Sequence, residues 1–434
     1  DNNKWTFSCW LKYTRYSGTY PNSEAPFFHA DAGSTTSWSF IGLDEANQLI
    51  LQNRISSANV GYIISNAKLQ DAGAWYNVVA VFDGSNSTAA DRQILYLNGE
   101  RITSFTGETQ APLDTASNIN SAIEHRIGRG HGHYGSKYFG GSMSHVHFID
   151  GTAYPATAFG SVDSTSGIWK INTAPSVTYG NNGFSILKDG ISLTDSSPNS
   201  NNFSLGGGTL TKTEDCPDNN FTTMNPLDNY YAAGTFSNGN TTVTTSNSNY
   251  ARNSSTIGMA TGKWYSEYKV GSITGSGGIY IGITGDLATG TGGNTGNSPF
   301  SYAYASNGTK HFNGSASSFG NSYTTGDTIG VALDATNSKI WWSKNGTWQA
   351  SGDPSNGSNA AYTVVATSLT TIGAYFWSFS DNDNSEYFTC DCNFGSPYFA
   401  ISSGNADADG FGNFEYAVPT GFFALCTKNL AEYG

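Results

Sequence analysis

The chain of 434 residues carries a net charge of −13, and only 12% of its residues are charged. An acidic chain without a cluster of Lys and Arg repels nucleic-acid phosphates, so nucleic-acid binding is excluded. No apolar stretch reaches the ~20 residues that a membrane helix requires, which excludes membrane insertion of that kind. The 14% of aromatic residues and the 52 glycines are typical of many short strands joined by tight turns.

The first half of the chain contains apolar runs that predict β-strands. The clearest is Tyr76–Asp83, and after a polar loop the run Ile94–Leu97 ends at Asn98 and Gly99. Asn-Gly between apolar runs is the strongest short signal for a β-hairpin, because both residues accept a positive φ. The other strands predicted here are Trp38–Leu43, Gln48–Gln52, His125–Arg129 and Ser142–Ile149.

The middle of the chain differs in composition from both halves. Residues 195–225 are polar and rich in turn formers, and they include the run Gly206–Gly208. Such a composition is typical of a connection between domains. We therefore predict a first domain over 1–195, a linker over 196–228 and a second domain over 229–434.

The second half repeats the layout of the first. Ile329–Asp334 is followed by a short loop and by Lys339–Lys344, which ends at Asn345 and Gly346. No segment longer than ten residues shows a convincing 3.6-residue period, so helix is expected below ~10% of the chain. The sequence thus predicts an all-β chain with two copies of one architecture. The other strands predicted here are Lys263–Val270, Gly278–Ile283, Thr371–Phe379 and Tyr387–Phe394.

Motifs in the two halves resemble two known domain families. The first half resembles the laminin-G/concanavalin-A-like domain, and the second half resembles the SPRY domain. Both resemblances imply jelly-roll-like β-sandwiches in tandem. The motifs of the first half are Trp5–Trp10, Ala74–Val79, Leu95–Gly99 and Phe148–Gly151, and those of the second are Gly262–Glu267, Ile281–Ile283, Trp341–Gly346 and Asn393–Gly395.

The tandem, together with Phe221–Asp228 and Pro419–Leu430, resembles a group of fibre or appendage proteins from the virions of marine bacteriophages. That resemblance implies a place on the virion surface and non-covalent binding to a host cell-surface glycan or protein. It also implies other virion proteins as partners and a homo-oligomer such as a trimer, although no coiled-coil heptads support one. Two alternatives stay open, a capsid-decoration or tail-assembly protein without a receptor role and a polysaccharide depolymerase.

Enzymatic motifs are missing from the sequence. A glycosidase needs two carboxyl groups on either side of the scissile bond. Neither Glu-x-Asp nor Glu-x-x-x-Glu, the spacings that would place such a pair on one strand face, occurs in the chain. There is no Gly-x-Ser-x-Gly elbow leading into a helix and no P-loop. We therefore predict a protein that is not an enzyme.

Two segments are candidate metal sites. His131, His133, His145 and His147 lie close together in sequence, and converging imidazoles could hold Zn²⁺ or a similar ion. The alternative is a solvated strand face beside a polar loop.

The second segment places Asn405, Asp407 and Asp409 at the first, third and fifth positions of a loop, with Gly410 next and Glu415 further on. This spacing matches the start of a Ca²⁺ loop, and the alternative is an Asx-rich turn.

Alternating aromatic residues are the candidate ligand-binding residues. Tyr375, Trp377 and Phe379 share one strand face, as do Tyr302 and Tyr304. Exposed rings would pack against the C–H faces of sugars, but strand alternation does not tell which face is inward, so a core role is the alternative. The Gly- and Asn-rich loop over residues 289–298 is a further candidate, because loops at the ends of a sandwich often carry contacts.

Overall fold

The computed structural model of the chain describes residues 2–14, 25–31, 33, 35–130, 137–188, 190–231, 234–245, 251–273, 278–286, 293–381 and 387–434. These residues form two compact domains, and the division between them falls after residue 212, inside the predicted linker. Strands account for 45% of the structure and helices for 5%, which confirms the all-β prediction. None of the described helices is long and apolar enough to cross a membrane.

The described part of the first domain contains two six-stranded antiparallel sheets and one separate hairpin of two strands. The strand orders of the sheets are β14-β11-β1-β6-β7-β8 and β10-β2-β3-β4-β5-β9, and β12 pairs with β13. The strands are β1 (Lys4–Tyr13), β2 (Ala25–Asp31), β3 (Trp38–Leu43), β4 (Gln48–Ile55), β5 (Ala58–Lys68), β6 (Tyr76–Asp83), β7 (Gln93–Leu97), β8 (Glu100–Arg101), β9 (Phe105–Thr109), β10 (Glu124–Ile127), β11 (Gly141–Asp150), β12 (Gly160–Val162), β13 (Trp169–Ile171) and β14 (Phe184–Ile186).

The core of the first domain lies between its two sheets. Trp5 and Phe7 on β1 and Val78, Ala80 and Phe82 on β6 are fully buried there. They alternate with residues that face outward, as the two-residue period of a strand requires. Trp5 stacks on Phe82, with ring centroids 5.7 Å apart.

The described part of the second domain also contains two sheets. One has the order β15-β18-β28-β20-β21-β22-β23, and the other has the order β16-β17-β29-β19-β24-β25-β26, with β27 beside β25 and β30 parallel to β19. The elements are β15 (Met224–Tyr231), β16 (Thr235–Ser237), β17 (Thr242–Thr244), β18 (Ala251–Ser255), β19 (Lys263–Ile273), β20 (Ile279–Thr284), β21 (Ser301–Ala305), β22 (Thr309–Phe312), β23 (Ser315–Ser318), β24 (Thr328–Asp334), β25 (Lys339–Lys344), β26 (Thr347–Trp348), β27 (Tyr362–Thr363), β28 (Phe376–Asp381), β29 (Phe388–Asn393), β30 (Phe423–Ala424) and α1 (Thr427–Tyr433).

The core of the second domain again lies between two sheets. Trp264 and Tyr268 on β19 and Ile329, Val331 and Leu333 on β24 are fully buried in it. The interior is unusually rich in rings, and aromatic pairs add to the stability that burial of their apolar area provides.

One sheet in each domain carries the predicted Asn-Gly hairpin, and we call it the hairpin sheet. In the first domain it is the sheet that contains β1, β6 and β7, and in the second it is the sheet that contains β19, β24 and β25. At the turns, φ is 49° at Asn98 and 84° at Gly99, and it is 47° at Asn345 and 77° at Gly346. These angles confirm both hairpin predictions.

A cover segment lies on the outer face of each hairpin sheet. In the first domain it is residues 152–180, whose side chains include Phe159 and pack on Val79 and Ile149. In the second domain it is residues 397–422, whose side chains include Phe414 and pack on Tyr265. Each hairpin sheet is therefore buried on both faces, which explains the long apolar runs of its strands.

Two predicted boundaries need correction. The strand predicted over Thr371–Phe379 begins only at Phe376, because a turn with φ of 72° at Gly373 precedes it. Much of the predicted linker is folded: Phe203 packs on Phe184 with ring centroids 4.6 Å apart, and Phe221 is buried in the second domain.

All five cysteines are free thiols. Four of them are buried, while Cys216 is half-buried. Cys390 and Cys392 both face the core of the second domain from β29, as their spacing predicts.

Candidate ligand-binding groove

The aromatic residues predicted to bind a ligand lie in the core of the second domain. All five side chains belong to the cluster between its sheets, and none is more than 1% exposed. Their hydroxyl groups also have partners, since the Tyr375 hydroxyl donates to the Val365 carbonyl at 2.7 Å. The prediction of a sugar-binding face is therefore wrong, because the alternation that suggested it faces inward. The five residues are Tyr302, Tyr304, Tyr375, Trp377 and Phe379.

The predicted Ca²⁺ loop is a structural turn. Asp407 is buried, and its Oδ1 accepts hydrogen bonds from the backbone N–H groups of Asp409 at 3.0 Å and Phe411 at 2.9 Å. Its Oδ2 accepts from the Ala424 N–H at 3.0 Å and from Nδ2 of Asn429 at 2.8 Å. Each oxygen of this carboxylate thus accepts two hydrogen bonds from N–H donors of the protein.

The other predicted calcium ligands point to partners of their own. Nδ2 of Asn405 donates to the Glu415 carbonyl at 3.0 Å, while Oε2 of Glu415 accepts from the Ser402 N–H at 2.8 Å. The prediction of a Ca²⁺ loop is corrected to the Asx-rich turn, because the Asp407 carboxylate and Oε2 of Glu415 accept hydrogen bonds from N–H donors of the folded chain. In the part of the chain that the structure describes, no group of three or more His, Cys, Asp or Glu residues is placed to hold a metal ion.

Two of the four predicted histidine ligands, His131 and His133, lie outside the described residues, so the four-histidine site stays a prediction. His145 and His147 lie on β11 with ring centroids 6.5 Å apart. Nδ1 of His147 hydrogen-bonds the Tyr179 hydroxyl at 2.9 Å, and Nδ1 of His145 hydrogen-bonds the Ser144 hydroxyl at 2.7 Å. His147 is thereby tied to the cover segment of its own domain.

Burial also decides the charge of His147. Desolvation lowers the pKa of its imidazole to about 3, and repulsion from His145 and Lys188 acts in the same direction. A buried imidazole that stays neutral at physiological pH packs as a polar core residue.

An open groove in the first domain is the candidate site that the structure reveals. It has a volume of about 360 Å³, within the range of small-ligand pockets. It lies between the Asn-Gly turn of the hairpin sheet and the β12–β13 hairpin. The described residues that line this groove are Trp75, Asn98, Glu100, Val162, Gly167, Ile168 and Trp169.

The indole of Trp169 packs against two glycines. A Cβ atom at Gly99 would lie 2.4 Å from the Trp169 ring, and a Cβ atom at Gly160 would lie 2.6 Å from it. Nε1 of Trp169 donates to Oδ1 of Asn77 at 3.1 Å, and Asn77 is fully buried. The groove therefore has an aromatic wall whose position is fixed before any ligand arrives.

The β12–β13 hairpin that carries this wall is stabilised by one carboxylate. Asp163 accepts hydrogen bonds from Ser166 N–H at 2.8 Å and Ser166 Oγ at 2.9 Å, and it pairs with Nζ of Lys170 at 2.8 Å. The bond from Lys170 is the largest cause that holds the pKa of this carboxyl well below its usual range. At the tip of this hairpin Ile168 is 62% exposed and Val162, on β12, is 57% exposed.

Two polar groups complete the groove. Oδ1 of Asn98 accepts a hydrogen bond from the Asn77 N–H at 2.8 Å, so its Nδ2 group remains to donate. The Glu100 side chain is exposed, and it has no hydrogen-bond or ion-pair partner among the described residues. A donor and an acceptor thus lie beside apolar walls, the usual composition of a small-ligand pocket.

Sequence reasoning missed this groove. Its lining residues come from three separate segments, and only Trp75 and Asn98 fall within motifs that the sequence singled out. One available signal was the pair Ile168 and Trp169, two large apolar residues in an otherwise polar stretch. Their partners are about 70 residues away in the chain, which a local pattern does not reveal.

At the corresponding turn of the second domain a ring of the cover segment lies directly over the glycine. A Cβ atom at Gly346 would lie 2.5 Å from the ring of Tyr416, which belongs to the cover segment. The N–H groups of Glu415 and Tyr416 each donate to the buried carboxylate of Glu267 at 2.8 Å, and the Tyr265 hydroxyl donates to it at 3.0 Å. Burial raises the pKa of Glu267 to about 7 despite these bonds.

Comparisons with known proteins agree with this architecture. Residues 1–157 match the family model described as the Concanavalin A-like lectin/glucanases superfamily, and residues 263–367 match that of the SPRY domain. The crystal structure of the SPRY domain of human HERC1 aligns with 39% of this chain and 96% of that chain, at 15% identity and a TM-score of 0.31. A likeness at that TM-score carries no argument about function. No curated protein matches the chain.

Residues 1–157 and 263–367 thus match a concanavalin-A-like domain and a SPRY domain in tandem, as the sequence predicted. Both are typically binding domains without catalytic activity, and the combination indicates a lectin-like binding role. The β12–β13 hairpin lies beyond residue 157, so one wall of the groove stands outside the family match.

Proposed function

We propose that the chain is a fibre or appendage protein of a bacteriophage virion that binds a host cell-surface glycan or protein. The order of its two binding domains supports this proposal, as do the motifs Phe221–Asp228 and Pro419–Leu430 that resemble the phage group. Its location is then the virion surface, and its partners are other virion proteins and further copies of itself.

The observation that carries the binding role is the open groove with rigid walls. A fixed aromatic wall loses little conformational freedom when a ligand binds, which favours binding by a preformed site. Of the described residues that line the groove, Glu100 alone carries a carboxyl group. A glycosidase would need a second one, so the groove supports binding without hydrolysis.

A single shallow groove gives modest affinity, and a virion compensates through many copies. Linking several weak sites raises the overall avidity by ~10²–10⁴ without any new contact. A homo-oligomer such as a trimer would present its grooves together, and this is why we include oligomerisation in the proposal.

The test is an adsorption competition. Purified chain is mixed with host cells before phage is added, and unadsorbed phage is counted as a function of protein concentration. We expect a dose-dependent fall in adsorption with the native chain and with the Leu369→Ala control, which changes a side chain that is 69% exposed in the second domain. If saturating protein neither binds cells nor slows adsorption, the receptor role is wrong and a structural appendage protein replaces it.

A further inference from the structure

We propose that the groove of the first domain binds an uncharged stretch of carbohydrate, and that Glu100 excludes acidic sugars from it. This inference rests on the proposed function and names the ligand class of its site. It follows from the shape, the hydrogen-bonding groups and the charges of the groove.

The walls suit the amphipathic surface of a sugar ring. The half-buried Trp169 supplies aromatic area, and Val162 and Ile168 supply aliphatic area that is otherwise exposed to water. A sugar presents apolar C–H faces and polar hydroxyl edges, so it can cover these side chains and still leave its hydroxyls to form hydrogen bonds. Burial of exposed apolar area on binding is favourable at ~25 cal/mol per Å².

The two polar groups of the groove can form hydrogen bonds with the hydroxyls of a sugar. Nδ2 of Asn98 can donate to a hydroxyl oxygen, while the Glu100 carboxylate can accept from a hydroxyl hydrogen. Since Oδ1 of Asn98 is held by the Asn77 N–H at 2.8 Å, the orientation of the amide is fixed. A neutral sugar gives both groups a hydrogen-bond partner and brings no like charge close to Glu100.

The charges exclude anionic sugars. The two cations nearest in sequence are already paired, Arg101 with Asp91 at 2.7 Å and Lys170 with Asp163 at 2.8 Å. No Lys or Arg lines the groove among the described residues, so a uronate, sialate or sulfate would face Glu100 without a counter-charge. The net charge of −13 adds to this repulsion.

An extended peptide is less suited to the groove than a glycan. Peptides that add to a sheet need a free strand edge several residues long. The strand at this edge, β8, consists of two residues. Side-chain contacts, and not backbone pairing, must therefore provide the affinity.

The test is binding of the labelled full-length chain to an array of immobilised glycans. The array holds neutral and amino-sugar members, and each acidic member stands beside its carboxyl-reduced form. We expect the native chain to bind neutral members and to prefer each reduced form to its acidic parent. Glu100→Gln should raise binding of the acidic parents roughly fivefold, as removal of a like charge about 4 Å away in water predicts.

Matched variants separate the groove from the rest of the domain. Glu45→Gln makes the same charge change at another exposed glutamate of the first domain and should leave the preference unchanged. Trp169→Ala should abolish glycan binding. Ile168→Ala should weaken it several-fold, and it keeps the fold because this side chain is 62% exposed.

Several results would overturn the inference. Equal binding of acidic and neutral members, or the same response to Glu100→Gln and Glu45→Gln, would refute charge selection. Glycan binding that survives both Trp169→Ala and Ile168→Ala would place the site elsewhere. If the chain binds host cells but no glycan, and protease treatment of the cells abolishes binding, the adhesin proposal stands and the glycan assignment falls. Binding to neither cells nor glycans would remove both.

Discussion

Both domains build the hairpin sheet in the same way and differ in what lies over its turn. In each, a Lys-Trp pair begins the central strand and an aspartate ends the neighbouring one. Nζ of Lys4 lies 3.0 Å from Oδ2 of Asp83, and Nζ of Lys263 lies 3.4 Å from Oδ2 of Asp334. The tryptophan that follows each lysine is fully buried. Because the two hairpin sheets share this arrangement, their outer faces can be compared directly.

The outer faces of the two hairpin sheets differ in what surrounds the ring above the turn. Over Gly99 lies the Trp169 ring, and beside it the groove is open. Over Gly346 lies the Tyr416 ring, and around it the cover segment is packed into an apolar cluster that contains Phe414 and Phe422. The same hairpin therefore lies beside a groove in the first domain and beneath a packed apolar cluster in the second.

The two cover segments are also fixed by different side chains. In the first domain Oγ1 of Thr6 donates to the Thr152 carbonyl and accepts from the Tyr154 N–H, both at 2.8 Å. In the second domain the buried Glu267 carboxyl group accepts from the N–H groups of Glu415 and Tyr416, and also from the Tyr265 hydroxyl of its own strand. Each cover segment thus makes two hydrogen bonds to one side chain of the central strand, a neutral one in the first domain and a titratable one in the second.

Removal of this carboxylate should have the largest effect. Glu267→Ala leaves two N–H groups and the Tyr265 hydroxyl buried without their acceptor, and we expect a loss of about 3 kcal/mol in the free energy of unfolding of the second domain. Hydrogen exchange at Glu415 and Tyr416 should become much faster. Denaturant unfolding and hydrogen-exchange mass spectrometry of the full chain measure the two effects.

The matched control for this prediction is Thr6→Val in the first domain, where a neutral anchor is lost and about 1 kcal/mol is expected. Glu267→Gln should fall between the native chain and Glu267→Ala, because it keeps one acceptor oxygen. If Glu267→Ala unfolds like the native chain and its cover segment exchanges no faster, the carboxylate does not hold the segment.

Alanine substitutions at the two turn glycines should have the next largest effect, about 2 kcal/mol each. The backbone strain of a positive φ costs ~1–2 kcal/mol for a non-glycine residue, and the clash with the ring above adds to it. Gly151→Ala is the control for Gly99→Ala, since its φ of 85° matches the 84° of Gly99 and no atom lies within 4 Å of its added Cβ.

Gly421, with φ of 79° and open space, is the corresponding control for Gly346 with φ of 77°. Thermal unfolding of the four variants gives the contribution of each ring as a difference within a pair. Gly99→Ala should also weaken glycan binding, whereas Gly346→Ala should not. A pair whose members lose the same stability would show that the ring above the turn contributes nothing.

The sequence was sufficient to predict the two hairpins but not the groove, and the reason is physical. Asn98 and Gly99 determine their turn through their own backbone preferences, and so do Asn345 and Gly346. The position of Trp169 depends on a contact about 70 residues away in the chain. Local patterns do not encode such contacts.

The failed site predictions have related causes. The alternation of Tyr375, Trp377 and Phe379 was real, but a two-residue period is the same for either face of a sheet. The oxygens of Asp407 were predicted to bind a cation, yet backbone N–H groups of the folded chain satisfy them first. The residue types show which interactions a side chain can form, and only the fold shows which partner it interacts with.

The last prediction is a difference in pH dependence between the two domains, with a slope of at most ~1.4 kcal/mol per pH unit. Burial lowers the pKa of His147 to about 3 in the folded first domain, against 6.5 for the free group. Between these values the unfolded state binds the extra proton, so stability is lost as the pH falls below 6.5. Burial raises the pKa of Glu267 from 4.5 to about 7, so the folded second domain binds the extra proton, and stability is lost as the pH rises from 4.5.

Acidification from pH 6.5 to 4.5 should therefore weaken the first domain and strengthen the second, each by at most ~1.4 kcal/mol per pH unit. Histidines also titrate in this window, and burial lowers the pKa of His125 in the first domain and of His311 in the second, so each group is measured by the slope that its own variant removes. Calorimetry of the full chain at several pH values measures the two unfolding transitions. His147→Asn and Glu267→Gln assign them, because each variant should reduce the pH dependence of the stability of its own domain only. Parallel slopes, or slopes that neither variant changes, would show that these two buried groups do not set the pH response.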